Sequence, residues 1–424
     1  MIIILTINFS LALYSDLFKK IPSDNIKILY AGCYTQNING FLIKDNESNK
    51  VDKLFEYEFN YASKLHYTFK SNINGIQKVK FPDFLMAFTK IDRIKELTFR
   101  KLDLNRIYCS IYFIRNQDNS KIDVRVNFNN TIFMDNEFHD RFSYLFTSIS
   151  KDENINSENL IRSVCNFYVA IAGQSVLQAF IDQKQFLPST RVLIDSENMI
   201  VSASNFLTQY GNESTKKKIN DLRDYWLADL ERYKGLLYQK QDHPISAINH
   251  YFNSLYYDFY YPHETYEEMK YRLLTDYDGA SDTLNYYQSI NPLFPTMQHI
   301  INLIIDKGDS AIVAVTIQRL NQLRLKFQDN PLYWFYYGEI IKYCYIDGKK
   351  YNLIFEKRID DSISAFQKVI EMDPTFSLVY TKIGALKFIL SDLTNDPTIS
   401  EKLKKEGRLY ADKDLTLFYL QLEK

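Results

Sequence analysis

The chain has 424 residues, a hydrophobic fraction of 46% and a formal net charge of −1 at pH 7. This length favours two or three domains, and the hydrophobic fraction argues against a disordered chain. The near-zero charge excludes a global field that attracts nucleic acid, so we predict no nucleic-acid partner. With only 12 glycines and 10 prolines, long helices with short connections are favoured over a loop-rich all-β fold.

Cysteine and histidine usage gives no sign of a disulfide framework or a metal site. The cysteines, Cys33, Cys109, Cys165 and Cys344, are widely spaced and contain no CxxC pair. We therefore predict that they are buried free thiols. The six histidines show no metal-ligand clustering either. No residue is predicted to bind a metal or a cofactor.

Residues 1–21 form an apolar N-terminal segment that begins MIIILTINFSLALYSDLF. This run is close to the lower limit of ~17 residues for a helix that spans a bilayer. A secretory signal peptide would carry positive charge before the apolar run, whereas Lys19 and Lys20 follow it. Two interpretations remain open: an uncleaved membrane anchor, which would give membrane contact through the N-terminus, and a buried first helix or strand.

Residues 22–187 alternate between strand-like and helix-like patterns. The stretches IKILYAGCY and IQKVKF indicate strands, and SNKVDKLFEYEFNYASKLHYTF and FPDFLMAFTKIDRIKELTF indicate helices. RIYCSIYFIRNQ and SKIDVRVNFNNTIF alternate with period two and predict a hairpin. SENLIRSVCNFYVAIAGQSVLQAFI then predicts a long apolar helix. The order β-α-β-α-β-β-α predicts a small mixed sheet covered by helices.

This order of elements resembles the TolB-N-like (CsgG/FlgO-related) α/β domain. In that family the first strand follows a membrane helix and a short polar linker, and KKIPSDNIKILYAG occupies the corresponding place. The chain has Ala31 and Gly32 where the family has Pro-Phe. The resemblance implies a bacterial protein that is cytoplasmic or membrane-anchored at the envelope, and it carries over no catalytic residue.

Residues 188–220 are interpreted as a linker region, of which YGNESTKKKIND is the best candidate. Within it, RVLIDSENMIVSASNF resembles half of a phospholipase-D-type motif, in which a strand ending in Asp precedes a Gly-Ser-x-Asn turn. Asp195 would be that aspartate. The chemistry needs a nucleophilic His two residues before a Lys, but Ser189 and Arg191 occupy those positions. A strand or helix-linker connection without catalytic residues is therefore the preferred interpretation.

The stretch SISAFQKVIEMDP, residues 362–374, resembles the second helix of a tetratricopeptide repeat (TPR). Ser362 is small and lets two helices approach closely, and Phe366 is large enough to fill the groove between turns. Val369 follows on the same face, and Pro374 ends the helix because it lacks an N–H group and clashes with the preceding turn.

First-helix signatures of the same kind lie on both sides of this stretch. They are Trp334, Tyr337 and Gly338 upstream, and Tyr380, Ile383 and Gly384 downstream. The two glycines lie farther apart than the repeat period of about 34, so roughly 12 residues are inserted between the helices. An earlier copy runs from Gly235 through Ala247 to Tyr251, with Glu231 in the place of the signature aromatic residue. Residues 294–329 supply a further helical pair.

These patterns predict an α+β multidomain chain: a small mixed α/β domain followed by an all-α TPR-like superhelix over residues 221–424. The predicted function is a non-enzymatic scaffold or adaptor that binds a protein or peptide partner on the concave surface of the repeats. Two alternatives remain: a membrane-linked ligand-sensing or regulatory protein, and a phosphodiester hydrolase.

The partner-binding residues are predicted from the phase of the first helices. If Trp334 and its signature neighbours pack inward, then Tyr336, Glu339 and Lys342 project from another face at ~100° per residue. Lys382 is placed in the same way on the next first helix. We predict that a partner contacts these four residues and that Tyr336 is the aromatic anchor.

Overall fold

The computed structural model describes residues 27–36, 42–70, 76–78, 107–115, 122–128, 157–174, 176–258, 293–307, 309–344 and 353–422. The described residues are mostly helical, with a small sheet near the N-terminus, in agreement with the predicted α+β class. The chain divides into two compact units, Met1–Trp226 and Leu227–Lys424. The apolar segment 1–21 and the helix predicted at 81–99 lie outside the described residues.

Unit 1 contains the sheet. Its described strands are β1 (Lys27–Gln36), β2 (Leu42–Ile43), β3 (Ile76–Lys78), β4 (Ile107–Arg115) and β5 (Ile122–Phe128). One edge of β1 pairs in parallel with β4, and its other edge pairs in parallel with β3 and antiparallel with β2. Strands β4 and β5 pair antiparallel, which confirms the predicted hairpin. Strand β2 was not predicted, because two residues are too short to show alternation.

Five described helices lie wholly within unit 1. They are α1 (Asn46–Leu65), α2 (Tyr67–Lys70), α3 (Ser157–Gln174), α4 (Leu177–Asp182) and α5 (Phe186–Thr208). Helix α1 covers the sheet and stacks Phe55 on Tyr30 with ring centroids 4.0 Å apart. Helix α3 packs against α1 and α5 and is almost entirely buried, which explains its nearly continuous apolar sequence.

The stretch Ser157–Asp182 is the candidate membrane span among the described residues, by length and composition. Most of it is buried inside the protein. A core helix of a folded domain passes the same test, and the packing of α3 between α1 and α5 is the arrangement of such a helix.

The region predicted as a linker, residues 188–220, is mostly helical. Helix α5 ends at Thr208, and α6 (Glu213–Lys240) begins five residues later. Val192, Ser196 and Ala203 are buried at helical spacing along α5. The prediction was wrong because the polar residues between them, which lie on the outer face of a helix, were interpreted as a solvated connection. The division between the two units falls within α6.

Unit 2 is helical in its described part. Besides the end of α6 it contains α7 (Pro244–Asp258), α8 (Leu293–Lys307), α9 (Ser310–Phe327), α10 (Pro331–Ile341), α11 (Leu353–Met372), α12 (Ser377–Leu393) and α13 (Pro397–Leu422). Side chains that favour helix N-termini begin several of them, since Asp309, Asn330 and Asp396 each accept a bond from a backbone N–H in the first turn. Helix α10 packs on α11, α12 on α13, and α11 on α12.

Three helix pairs meet at glycines, and we call these contacts the glycine seams. A Cβ atom at Gly235 would lie 2.4 Å from the ring of Tyr251, and one at Gly338 would lie 2.7 Å from the ring of Phe366. At Gly384 a Cβ would lie 3.0 Å from the carbonyl oxygen of Gly407. The missing side chains allow α6 and α7, α10 and α11, and α12 and α13 to approach closely.

Candidate functional site

Two of the four predicted partner-binding residues are buried. Tyr336 is 1% exposed and Glu339 is 7% exposed, so neither projects from the surface. The face assignment was wrong because the sequence of α10, PLYWFYYGEII, is apolar on all sides. Such a helix has no amphipathic pattern, so its sequence does not indicate which side chains face the core. Trp334, which was assigned to packing, is only half-buried.

Three of the four residues nevertheless come together. Glu339 on α10 lies 3.3 Å from the ammonium nitrogen of Lys342 and 3.3 Å from that of Lys382 on α12. We call these residues the Glu339 cluster. It joins α10 and α12 through one carboxylate and two ammonium groups. The Lys382 side chain is 34% exposed, so the excess positive charge of the cluster reaches solvent.

Next to Lys382, helix α12 exposes an apolar surface that the sequence interpretation missed. Ala385 and Ile389 are exposed and lie within about 60° of Lys382 around the helix axis. Phe388 is exposed at the flank of this surface. We call Lys382, Ala385 and Ile389 the α12 outer face. The sequence contained a signal for this face. Tyr380, Ile383 and Gly384 were assigned to packing, so residues on the opposite side of the helix were expected to face outward.

A second polar network, between α6 and α7, surrounds Glu231. Its carboxylate lies 2.6 Å from the Lys234 ammonium, 3.0 Å from the Asn253 amide nitrogen and 2.8 Å from Nδ1 of His250. Burial raises the pKa of Glu231, but bonds from His250, Lys234 and Asn253 outweigh it and hold the pKa at about 2. Arg319 of α9 donates to Asn253, so the network ties three helices together.

A third network lies between the middle of β1 and helix α1. The Asp52 carboxylate accepts bonds of 2.7 Å from both the Tyr30 hydroxyl and the Cys33 backbone N–H, and Lys44 lies 2.6 Å from its other oxygen. In parallel α/β sheets, ligands often bind beyond the carboxyl ends of the strands, next to this part of β1. Here the chain itself supplies partners to both oxygens of Asp52, which is the arrangement of a structural network.

The thiol of Cys33 in this network is fully buried and unreactive. Burial raises the pKa of Cys33 to about 12, and the Asp52 charge adds to this effect. Because only the thiolate is a nucleophile, Cys33 stays inert at neutral pH. Cys165 and Cys344 are also buried free thiols, as predicted, while the side chain of Cys109 lies outside the described residues. In the described part of the chain, no three His, Cys, Asp or Glu side chains converge as a metal site would require.

The stretch with the phospholipase-D-type resemblance is the middle of helix α5 and not a strand that ends in Asp195. Asp195 accepts a bond of 2.7 Å from the backbone N–H of Tyr67 at the start of α2. This aspartate therefore holds two helices together, and the strand-turn geometry on which the catalytic interpretation depended is not present.

Next to Asp195, His66 and Ser196 lie 2.9 Å apart, which superficially suggests a histidine base and a serine nucleophile. The hydrogen bonds run in the opposite direction. Thr68 donates its backbone N–H to Nδ1 of His66, so the proton of the ring is on Nε2 and is donated to the Ser196 hydroxyl. Ser196 donates onward to the carbonyl oxygen of Ala170. The histidine is fully buried and accepts no proton from the serine, so the pair is structural.

Two comparisons by sequence give no relative from which residue roles could be transferred. No protein-family model matches the chain, and no curated protein matches its sequence. The functional conclusion therefore depends on the geometry of the described residues.

Proposed function

We propose that the chain is a non-enzymatic interaction scaffold in which TPR-like helical hairpins of unit 2 bind a protein or peptide partner. One observation carries this proposal: the same contact recurs in separate helix pairs. Gly235 on a first helix faces Tyr251 on the second, and Gly338 faces Phe366 in the same way. A contact repeated between successive hairpins is the basis of helical-repeat arrays, which use their first helices to bind partners.

The residues around the seams support the same assignment. Ala247 and Ser362 stand four positions before Tyr251 and Phe366, and both are buried. The glycine-to-ring spacing of the second pair is longer by about 12 residues, which matches the insertion inferred from the repeat period. The Gly338–Phe366 contact thus resembles the Gly235–Tyr251 contact across a longer separation in sequence.

In unit 1, the parallel pairing of β1 with β3 and β4 and the antiparallel β4–β5 hairpin support the proposal that this unit is a TolB-N-like module. In that arrangement unit 1 is an accessory module, and the binding surface belongs to unit 2.

The α12 outer face is the proposed contact surface. Ile389 and Ala385 offer apolar area, and Lys382 beside them carries the exposed charge of the Glu339 cluster. The partner chemistry that fits is an apolar side chain next to a carboxylate. Tyr336 takes no part, because it is buried in the packing of α10.

The test is capture of the partner by the full chain, with cross-linking and mass spectrometry of the recovered proteins. Ile389→Asp places a charge in the centre of the α12 outer face and should weaken binding by about tenfold or more. Leu325→Asp is the matched control, because Leu325 is exposed on a different helix, α9. Equal binding by both variants would exclude the α12 outer face, and failure to recover any specific partner would contradict the scaffold function.

A further inference from the structure

Helix α1 exposes three large apolar side chains in a row. Tyr57, Tyr61 and Leu65 are 68%, 56% and 50% exposed, and their spacing of four places them along one side of the helix. We call them the α1 stripe. The opposite side of the helix buries Phe55 and Phe59 against the sheet. Single exposed apolar residues are normal, but an aligned set of this size marks a surface that is covered by something.

The path of the chain shows which segment lies nearest to this stripe. Strand β1 and helix α1 run in opposite directions, because Thr35 contacts Ser48 whereas Tyr30 stacks on Phe55. From Tyr30 back to Lys27 the strand covers roughly 10 Å. The same distance along the helix is about seven residues, which brings Lys27 level with residue 62. Lys27, where β1 begins, therefore lies at the same end of α1 as Tyr61 and Leu65.

The first residues of the chain, which precede Lys27, are apolar, as a segment that covers the exposed apolar stripe must be. Residues 1–18 are rich in Ile, Leu and Phe and contain a single charged side chain, Asp16. Residues 19–26 can span up to about 26 Å, which exceeds the ~10 Å diameter of a helix, so the connection is long enough to cross α1. We propose that residues 1–18 dock on the α1 stripe of their own chain.

A neighbouring apolar surface extends the proposed docking site. Leu187 and Ile194 are exposed on helix α5, and between them Arg191 lies over the ring of Tyr67, 5.6 Å from its centroid. Tyr67 follows Leu65 by two residues. The docked segment thus has apolar area on α1 and continues onto α5. In this state the segment is held by unit 1, and membrane contact requires its release.

The first test is photo-crosslinking in the full chain. A benzophenone side chain at position 61 should crosslink to a peptide from residues 1–18, and one at the exposed position 210 should not. A mixture of isotopically light and heavy chains distinguishes the copies, and the crosslink should join residues of the same chain. Crosslinks to lipid, crosslinks between light and heavy chains, or no crosslink to residues 1–18 would each overturn the proposal.

The second test uses the rate of chymotrypsin cleavage within residues 1–18. Tyr57→Lys together with Tyr61→Lys replaces two exposed residues by good helix formers, so α1 should fold normally. Loss of the apolar contact should speed cleavage about tenfold, because the protease acts on the undocked state. Tyr210→Lys is the control and should leave the rate unchanged. If the double variant is cleaved at the wild-type rate, the stripe does not hold the segment.

Discussion

Ser362 and Ser364 stand two positions apart on helix α11 in very different surroundings. Ser362 is fully buried, and its hydroxyl donates to the carbonyl oxygen of Gly338 at 2.6 Å. Ser364 is exposed to solvent. Comparing the same substitution at the two positions therefore separates the stabilisation by the buried hydrogen bond of Ser362 from the general effect of replacing a helical serine.

Replacing Ser362 by Ala should lower the free energy of unfolding by about 1 kcal/mol, since it removes a buried hydrogen bond across the α10–α11 seam. Ser364→Ala should change it by no more than a few tenths of a kcal/mol. Urea unfolding followed by circular dichroism measures both. Equal effects of the two substitutions would show that the bond to Gly338 does not stabilise the seam.

His66 predicts a pH dependence of stability. Burial lowers the pKa of His66 from 6.5 to about 3 in the folded protein, while the unfolded chain keeps the ordinary value. The unfolded state therefore binds the proton first as the pH falls. The stability that depends on neutral His66 is complete above pH 6.5 and is lost progressively between pH 6.5 and about 3, by at most about 1.4 kcal/mol per pH unit.

The matched measurement compares the wild type with His66→Gln. The variant should be less stable at pH 8, because the histidine ring is packed against Gly173. The difference in unfolding free energy between the two proteins should shrink as the pH falls below 6.5, since only the wild type takes up this proton on unfolding. A difference that stays constant from pH 8 to pH 5 would show that His66 does not titrate in this way.

At the scale of elements, regular alternation and helical spacing were sufficient to predict several parts of the fold. The β4–β5 hairpin has clear period-two alternation on both sides of a polar break, and it was found where expected. The seam at Phe366 was predicted from the small-to-large spacing after Ser362. In both cases the periodicity is local, so no distant contact was needed to interpret it.

The predictions for α10 and α5 were wrong because the hydrophobic pattern of α10 has no helical periodicity and that of α5 fits more than one structure. Helix α10 is apolar all round, so its sequence could not show that Tyr336 faces inward. The Glu339 cluster joins α10 to α12, and such a pairing of distant residues has no local signal. Helix α5 was missed because the polar residues between Val192, Ser196 and Ala203, which lie on its outer face, are equally typical of a solvated connection.

The seam between α10 and α11 gives a prediction about the packing of helices. Gly338→Ala would place a methyl group 2.7 Å from the Phe366 ring and should cost about 1–3 kcal/mol of unfolding free energy. Phe366→Leu in the same chain should restore part of that loss, because the smaller side chain makes room. A double-mutant cycle measures the coupling, expected at about 1 kcal/mol. If the losses of unfolding free energy from the two substitutions simply add, the methyl group at position 338 does not compete for space with the Phe366 ring.

At the scale of the whole chain, the two tryptophans report on different units. Trp226 is buried in the unit Met1–Trp226, and Trp334 is half-buried in the unit Leu227–Lys424. A chain that retains one tryptophan, made with Trp226→Phe or Trp334→Phe, therefore has a fluorescence signal from a single unit.

Gly338→Ala should lower the unfolding midpoint that Trp334 reports and leave the midpoint that Trp226 reports unchanged, because the damaged contact lies entirely within unit 2. Fluorescence in a urea titration of each single-tryptophan chain measures this. If both midpoints fall together, the two units unfold as one cooperative system.

The glycine seam at Gly338 constrains the order in which mutations can accumulate during evolution. The glycine and the Phe366 ring share one volume, so enlarging the glycine first passes through a clash, whereas shrinking the ring first passes through a small cavity. Lineages that depart from glycine here should therefore carry a smaller partner on α11 as the older change.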